Sequence, residues 1–183
     1  MGNVVYGINI SVDGCFDHTF ANPDEEIMDY FTNLIQDADV IVYGRKTYEL
    51  MVPYWPDAAK AQSGTRAELD FAQAFTATDK IVFSKTLGTV KGNSRIIRDN
   101  PEEEIRKLKQ QPGTKISIGG VTLPSQLIAA GLVDEFYFVV HPVIVGKGAR
   151  LFDRIGLPEQ LNLKLTEAKI FKSGAVGLHY LKP

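Results

Sequence analysis

The chain has 183 residues, 44% of them hydrophobic and 23% charged, with 20 basic residues against 22 acidic ones and a formal charge of −2. That length suits one domain with a core of ordinary size, and the near-neutral balance supplies no basic field for nucleic acid or an anionic membrane surface. The single cysteine, Cys15, excludes an intrachain disulfide, a multi-cysteine zinc site and an iron–sulfur cluster, and it points to a reducing compartment.

Val4 to Val12 is rich in β-branched residues and reads as a strand that Asp13-Gly14 ends. Asn22-Pro23-Asp24-Glu25-Glu26 reads as a helix start, with Asn22 as cap, Pro23 at the first helical position and acids facing the positive end of the helix. Ile27, Phe31, Leu34 and Ile35 then give that helix one apolar face. Asp39 to Tyr43 is a short apolar run stopped by Gly44, and a helix-compatible stretch begins at Arg45; Val52 to Gly64 is the least regular part of the chain. Lys80 to Phe83 is strand-like and ends in Ser84-Lys85-Thr86.

Asn100-Pro101-Glu102-Glu103-Glu104 repeats the earlier helix start, with Ile105 and Leu108 turned inward and Pro112-Gly113 as the stop. Lys115 to Ile118 is a strand ending in Gly119-Gly120, and Thr122 caps a helix that carries Leu123, Leu127 and Ile128 up to Gly131. Asp134 to Val145 is an almost continuous β run, as expected of a strand covered on both faces. Leu161, Leu163 and Leu165, the turn Lys172-Ser173-Gly174, and Val176, Leu178 and Tyr180 form an antiparallel hairpin. The order predicts an α/β three-layer sandwich, residues 1–183 as one domain, with a mixed, mostly parallel sheet and a C-terminal antiparallel hairpin. No basic leader precedes the first apolar stretch, and Phe136 to Val145 is far shorter than the ~20 residues of a spanning helix, so a cytoplasmic protein is expected.

In an open α/β sheet, ligands gather at the carboxyl ends of parallel strands. Three such ends carry anion-friendly residues: Gly44-Arg45-Lys46-Thr47, Ser84-Lys85-Thr86 and Gly119-Gly120-Val121-Thr122. Together they suit a dinucleotide with an additional phosphate. Tyr54-Trp55-Pro56 offers an aromatic wall for a flat heterocycle or, equally, a loop packed on the core. His18, His141 and His179 have no metal-like spacing, so no metal site is expected, and His141 reads as a structural histidine. The chain has no phosphate loop, no Gly-x-Gly-x-x-Gly fingerprint and no nucleophile elbow.

Read in order, Ser11-Val12-Asp13-Gly14, Gly44-Arg45-Lys46-Thr47-Tyr48-Glu49, Tyr54-Trp55-Pro56, Ser84-Lys85-Thr86, Gly119-Gly120, Gly131-Leu132-Val133-Asp134-Glu135, His141-Pro142-Val143, Gly146-Lys147-Gly148 and Leu151-Phe152 resemble the dihydrofolate reductase-like superfamily. The resemblance is greatest to the C-terminal reductase domain of the riboflavin-biosynthesis deaminase-reductase, standing here without its deaminase half. It implies NADPH as cofactor. Arg45, Lys46 and Thr47 beside Gly44 would hold its phosphates. Ser84, Lys85 and Thr86 would take the adenosine 2′-phosphate, and Gly119, Gly120 and the amides of Val121, Thr122 and Leu123 the pyrophosphate. Ile8 and Asn9 fall where such reductases place the nicotinamide.

For the proton donor, counting from Asp13 gives Asp29, whereas counting from Tyr30-Phe31 gives Ile27. Asp13 is a turn residue or a substrate contact, Tyr54 and Trp55 are substrate-side candidates, and Lys147 and Arg150 could add a basic cluster. The implied activity is reduction of a small pyrimidine- or pteridine-type heterocycle, most like 5-amino-6-(5-phosphoribosylamino)uracil reductase. A non-catalytic NADPH- or nucleotide-binding protein and a true dihydrofolate reductase are the alternatives. The resembled domain pairs two subunits through the region of Asp134 to Val145, which implies a homodimer.

Overall fold

The computed structural model describes residues 1–183 apart from His18, Asn22, Arg154, Ile155 and Pro158. Its strands are β1 (Asn3–Ser11), β2 (Val40–Gly44), β3 (Asp79–Phe83), β4 (Ser94–Ile97), β5 (Lys115–Gly119), β6 (Glu135–His141), β7 (Lys164–Ile170) and β8 (Val176–Leu181). Between them lie α1 (Glu25–Gln36), α2 (Arg45–Met51), α3 (Tyr54–Ala61), α4 (Arg66–Ala77), α5 (Pro101–Lys109) and α6 (Thr122–Ala129). The strands form one sheet in the order β4-β3-β2-β5-β1-β6-β8-β7. From β4 across to β6 every pairing is parallel, and β8 and β7 add the antiparallel hairpin at one edge.

Side-chain alternation along the strands builds the layers. On one face, Ile41, Tyr43 and Val82 meet Met28 and Ile35 of α1, Tyr48 of α2, and Phe71 and Phe75 of α4. On the other, Val4, Tyr6, Ile116 and Ile118 meet Ile105 of α5 and Leu123, Leu127 and Ile128 of α6. Apolar burial on both faces explains why the central strands read as β-branched runs. Among the described residues no helix is long and apolar enough to cross a membrane.

Several boundaries differ from expectation. The Asn22-Pro23 device does not open α1: Asp24 is the cap, its carboxylate accepting the Ile27 N–H at 2.9 Å, while Asn22 lies outside the described residues. Pro101 does open α5, but Asn100 caps it in the left-handed region (φ 53°) with no side-chain cap bond. Thr122 is the first helical residue of α6 rather than its cap, a position Val121 takes. The run from Asp134 to Val145 leaves the sheet at His141, because Pro142 has no N–H to donate to the ladder. The irregular stretch after Val52 contains α3, and α4 and the four-residue β4 occupy segments for which the sequence suggests no element.

Candidate functional site

The strand order fixes where a crevice opens. After β5 the chain turns into α6 on one face, whereas after its neighbours β2 and β1 it turns into α2 and α1 on the other. A reversal of this kind leaves a gap at the carboxyl ends of the strands. All three anion-friendly segments lie on that edge, at the ends of the adjacent strands β3, β2 and β5.

Side chains tie these ends together. Arg45 donates through Nη1 to Thr86 Oγ1 at 2.7 Å, linking the ends of β2 and β3, and through Nε to Glu49 at 2.8 Å. Thr47 lies against Gly120, linking β2 to β5: a Cβ on Gly120 would stand 2.3 Å from Thr47 Oγ1. A Cβ on Gly119 would stand 2.4 Å from the buried ring of Tyr43, and Gly120 has φ +88°. Both positions therefore require glycine. From below, Tyr6 Oη donates to the Gly120 carbonyl at 2.9 Å. Gly44 has Leu123 Cβ as its nearest outside neighbour, at 4.0 Å.

The β3 end is a built turn. Ser84 Oγ accepts the Leu87 and Thr86 N–H groups at 3.0 and 3.3 Å. Arg98, at the end of β4, brackets the same turn, its Nη1 donating to the carbonyls of Ser84 at 3.0 Å and Leu87 at 2.5 Å. Lys85 projects outward, with 80% of its side chain exposed and Asp99 at 3.3 Å. Lys46 is exposed beside Arg45. Arg98 escaped the sequence reading because a four-residue strand gives too little periodicity to register. The pattern of β-branched residues followed by Arg98-Asp99 was the signal available.

On the other side of β5, Ile8 and Asn9 sit half-buried near the end of β1. Asn9 Oδ1 faces Nε2 of the buried His141 at 2.8 Å, and Phe20 lies edge-on to that imidazole. Burial pushes the His141 imidazole below its ordinary pKa, so it is neutral at physiological pH. A neutral imidazole that carries its proton on Nε2 donates to that Asn9 oxygen.

The substrate-side candidates are placed differently from one another. Asp13 accepts hydrogen bonds from Ser11 Oγ at 2.6 Å, the Val145 and Gly146 N–H groups at 3.1 and 2.9 Å, and Arg150 Nη2 at 2.9 Å. These fill the four acceptor directions of a carboxylate, so its work is to tie the Gly146–Arg150 loop to the end of β1. The Ser11 hydroxyl and the two backbone N–H groups, with Arg150, hold its carboxyl well below the usual range. Arg150 also donates to the Lys147 and Gly148 carbonyls, so its guanidinium is committed to the loop rather than to a cationic cluster. Asp29 lies in the helix layer, 3.3 Å from Arg66 Nη2 of α4, while Ile27 is fully buried against Val139, Phe171 and Ala175. Trp55 packs on Phe71 with ring centroids 4.5 Å apart; Tyr54 is exposed.

The opposite edge carries a cavity of about 450 Å³ lined by Asp39, Lys80, Ser94 and Gln111. Its buried lysine is already satisfied, donating to the Thr78 carbonyl at 2.7 Å. At the carboxyl edge, the required glycines after β5 stand beside cations from the ends of β2, β3 and β4.

A family model described as the RibD C-terminal domain matches residues 3–176. The chain is 33% identical over 181 residues to YyaP, an uncharacterised protein of Bacillus subtilis, covering 97% of this chain and 93% of that one. Among solved structures it is similar to a Shewanella sp. PV-4 protein assigned to riboflavin biosynthesis (18% identity, TM-score 0.74, 100% of this chain and 99% of that one). It is also similar to a pyrimidine reductase-like protein from Corynebacterium diphtheriae (16%, TM-score 0.67, 99% and 92%). Against RibD of Acinetobacter baumannii (15%, TM-score 0.67) the whole chain matches 58% of the longer protein. At these identities the structures establish the fold.

Proposed function

The chain belongs to the RibD C-terminal domain family, and from that membership and the carboxyl-edge geometry we propose that it is an NADPH-dependent reductase of a small pyrimidine- or pteridine-type heterocycle. The reaction it most resembles is that of 5-amino-6-(5-phosphoribosylamino)uracil reductase. The observation that carries the reading is the convergence of Arg45, Thr86, Thr47 and Gly120 across three adjacent strand ends. The residues present fit the cofactor: two positions admit no Cβ, and Arg45, Lys46 and Lys85 supply positive charge at the same edge.

Gly119, Gly120 and the first amides of α6 would receive the pyrophosphate, with Arg45, Lys46 and Thr47 beside them. Lys85, on the turn that Ser84 and Arg98 hold, would meet the 2′-phosphate. When bound, NADPH supplies the hydride. Asn9 is oriented by His141, which directs its Nδ2 away from the imidazole as a donor for a heterocycle carbonyl. Trp55, fixed on Phe71, carries the exposed Tyr54 ring toward solvent as an aromatic contact.

A second reading, a dinucleotide-binding protein without turnover, is favoured by Asp29, whose carboxylate pairs with Arg66. NADPH oxidation against a panel of pyrimidines and pteridines separates the two: turnover of any member supports the reductase, and tight NADPH binding without turnover supports the binder. A true dihydrofolate reductase needs the same helix carboxylate and is tested by including dihydrofolate.

The chain also pairs as a homodimer in this reading. β6 is hydrogen-bonded on both edges, so its region can contribute side chains but no free strand edge. The sheet has two outer strands, β4 and β7, and all seven residues of β7 are exposed, Ile170 by 79%. A monomer by light scattering at micromolar concentration overturns the pairing.

A further inference from the structure

Tyr6 is fully buried on β1, among Leu123, Leu127 and Phe136, with its hydroxyl aimed at the neighbouring strand end. There it donates to the Gly120 carbonyl at 2.9 Å. A peptide unit is planar, and in the trans form its carbonyl and the following N–H point in opposite directions. Holding the Gly120 oxygen down into the core therefore turns the Val121 N–H outward, toward the crevice. The turn is fixed from the other side as well, by Tyr43 under Gly119 and Thr47 against Gly120. One oriented amide is thus added to those that α6 leaves free at its first turn.

We propose that Tyr6 is a positioning residue for dinucleotide binding: its hydroxyl sets the Gly120–Val121 peptide so that the amide faces a pyrophosphate. Burial raises the phenol far above its ordinary pKa, so the donor stays protonated at every pH at which the protein folds. The inference rests on the dinucleotide reading given above and adds a residue of the core to it. A phenylalanine at this position keeps the ring and its packing and removes only the hydroxyl.

The test uses the full chain and its Tyr6→Phe variant, with affinities measured for NADPH, NADH and 2′-AMP, and thermal unfolding followed alongside. 2′-AMP carries the adenosine and its 2′-phosphate but no pyrophosphate, so it reports on the Ser84–Lys85 turn alone. The expected result is a loss of about tenfold for NADPH and for NADH, an unchanged preference between them, and unchanged 2′-AMP binding. Equal weakening of all three ligands assigns Tyr6 a merely structural role and overturns the inference, as does unaltered dinucleotide affinity in a wild type that binds. A wild type that binds neither dinucleotide overturns the parent reading and this one with it.

Discussion

Gly120→Ala perturbs the turn on which the site depends, and its cost can be worked from two local quantities. The backbone there has φ +88°, and the added Cβ would lie 2.3 Å from Thr47 Oγ1 and 3.4 Å from Thr47 Cβ. An L side chain in left-handed backbone costs about 1–2 kcal/mol. Pushing the Thr47 hydroxyl out of its rotamer adds about 0.5–1.5 kcal/mol. The sum, about 1.5–3.5 kcal/mol, lowers the melting temperature of a protein this size by about 3–14 °C. Because Tyr6 holds the Gly120 carbonyl from below, relief must come from the crevice side, so NADPH affinity falls together with stability. Thermal unfolding by circular dichroism and an NADPH titration on the folded protein measure both. Thr47→Ala in the same background removes the collision but not the backbone strain, so it recovers only part of the melting temperature. A Gly120→Ala protein with wild-type melting and wild-type affinity refutes the argument that this turn is shaped by contact with Thr47 and by its φ.

Lys85 is 80% exposed and its partner Asp99 is at the surface, so Lys85→Ala leaves the melting temperature unchanged while weakening NADPH by about tenfold; equal loss for NADH contradicts the 2′-phosphate assignment. Asp13 has a folded pKa below that of the unfolded chain, so its contribution to stability is present above about pH 4 and is lost as the pH falls toward the folded value. Asp13→Asn should therefore flatten melting temperature against pH on the acid side, and an unchanged acid limb counts against the carboxylate's role as loop anchor. Ile170→Lys, on the exposed edge strand, yields a monomer by light scattering if β7 carries the subunit contact; an undisturbed dimer moves the contact elsewhere.

The central strands were legible because burial on both faces writes itself as β-branched runs, and the glycines at their ends were legible because each punctuates such a run. Helices α5 and α6 announced themselves through Pro101 and through the spacing of Leu123, Leu127 and Ile128. What stayed hidden depends on partners distant in sequence. Asp24 displaces Asn22 as the cap because its own carboxylate reaches the Ile27 N–H. The role of Asp13 emerges only when Val145, Gly146 and Arg150 fold back on it across more than 130 residues. His141 reads as a structural histidine and is buried, but its pairing with Asn9 needs β1 and β6 side by side. Nothing local in the sequence marks Tyr6 as a residue whose hydroxyl ends at the Gly120 carbonyl. Arg98 was missed for want of strand length, although its chemistry matches that of the other strand ends.

The central claim is that the carboxyl ends of β3, β2 and β5 form one dinucleotide site. Backbone amide shifts of the labelled protein, followed by NMR as NADPH is added, test it most directly. The account predicts saturable changes concentrated at Arg45–Thr47, Ser84–Leu87 and Gly119–Leu123, with Asn93, Ser94 and Gln111 at the opposite edge undisturbed. No saturable shift, or changes gathered around Lys80 and Ser94 instead, would contradict it.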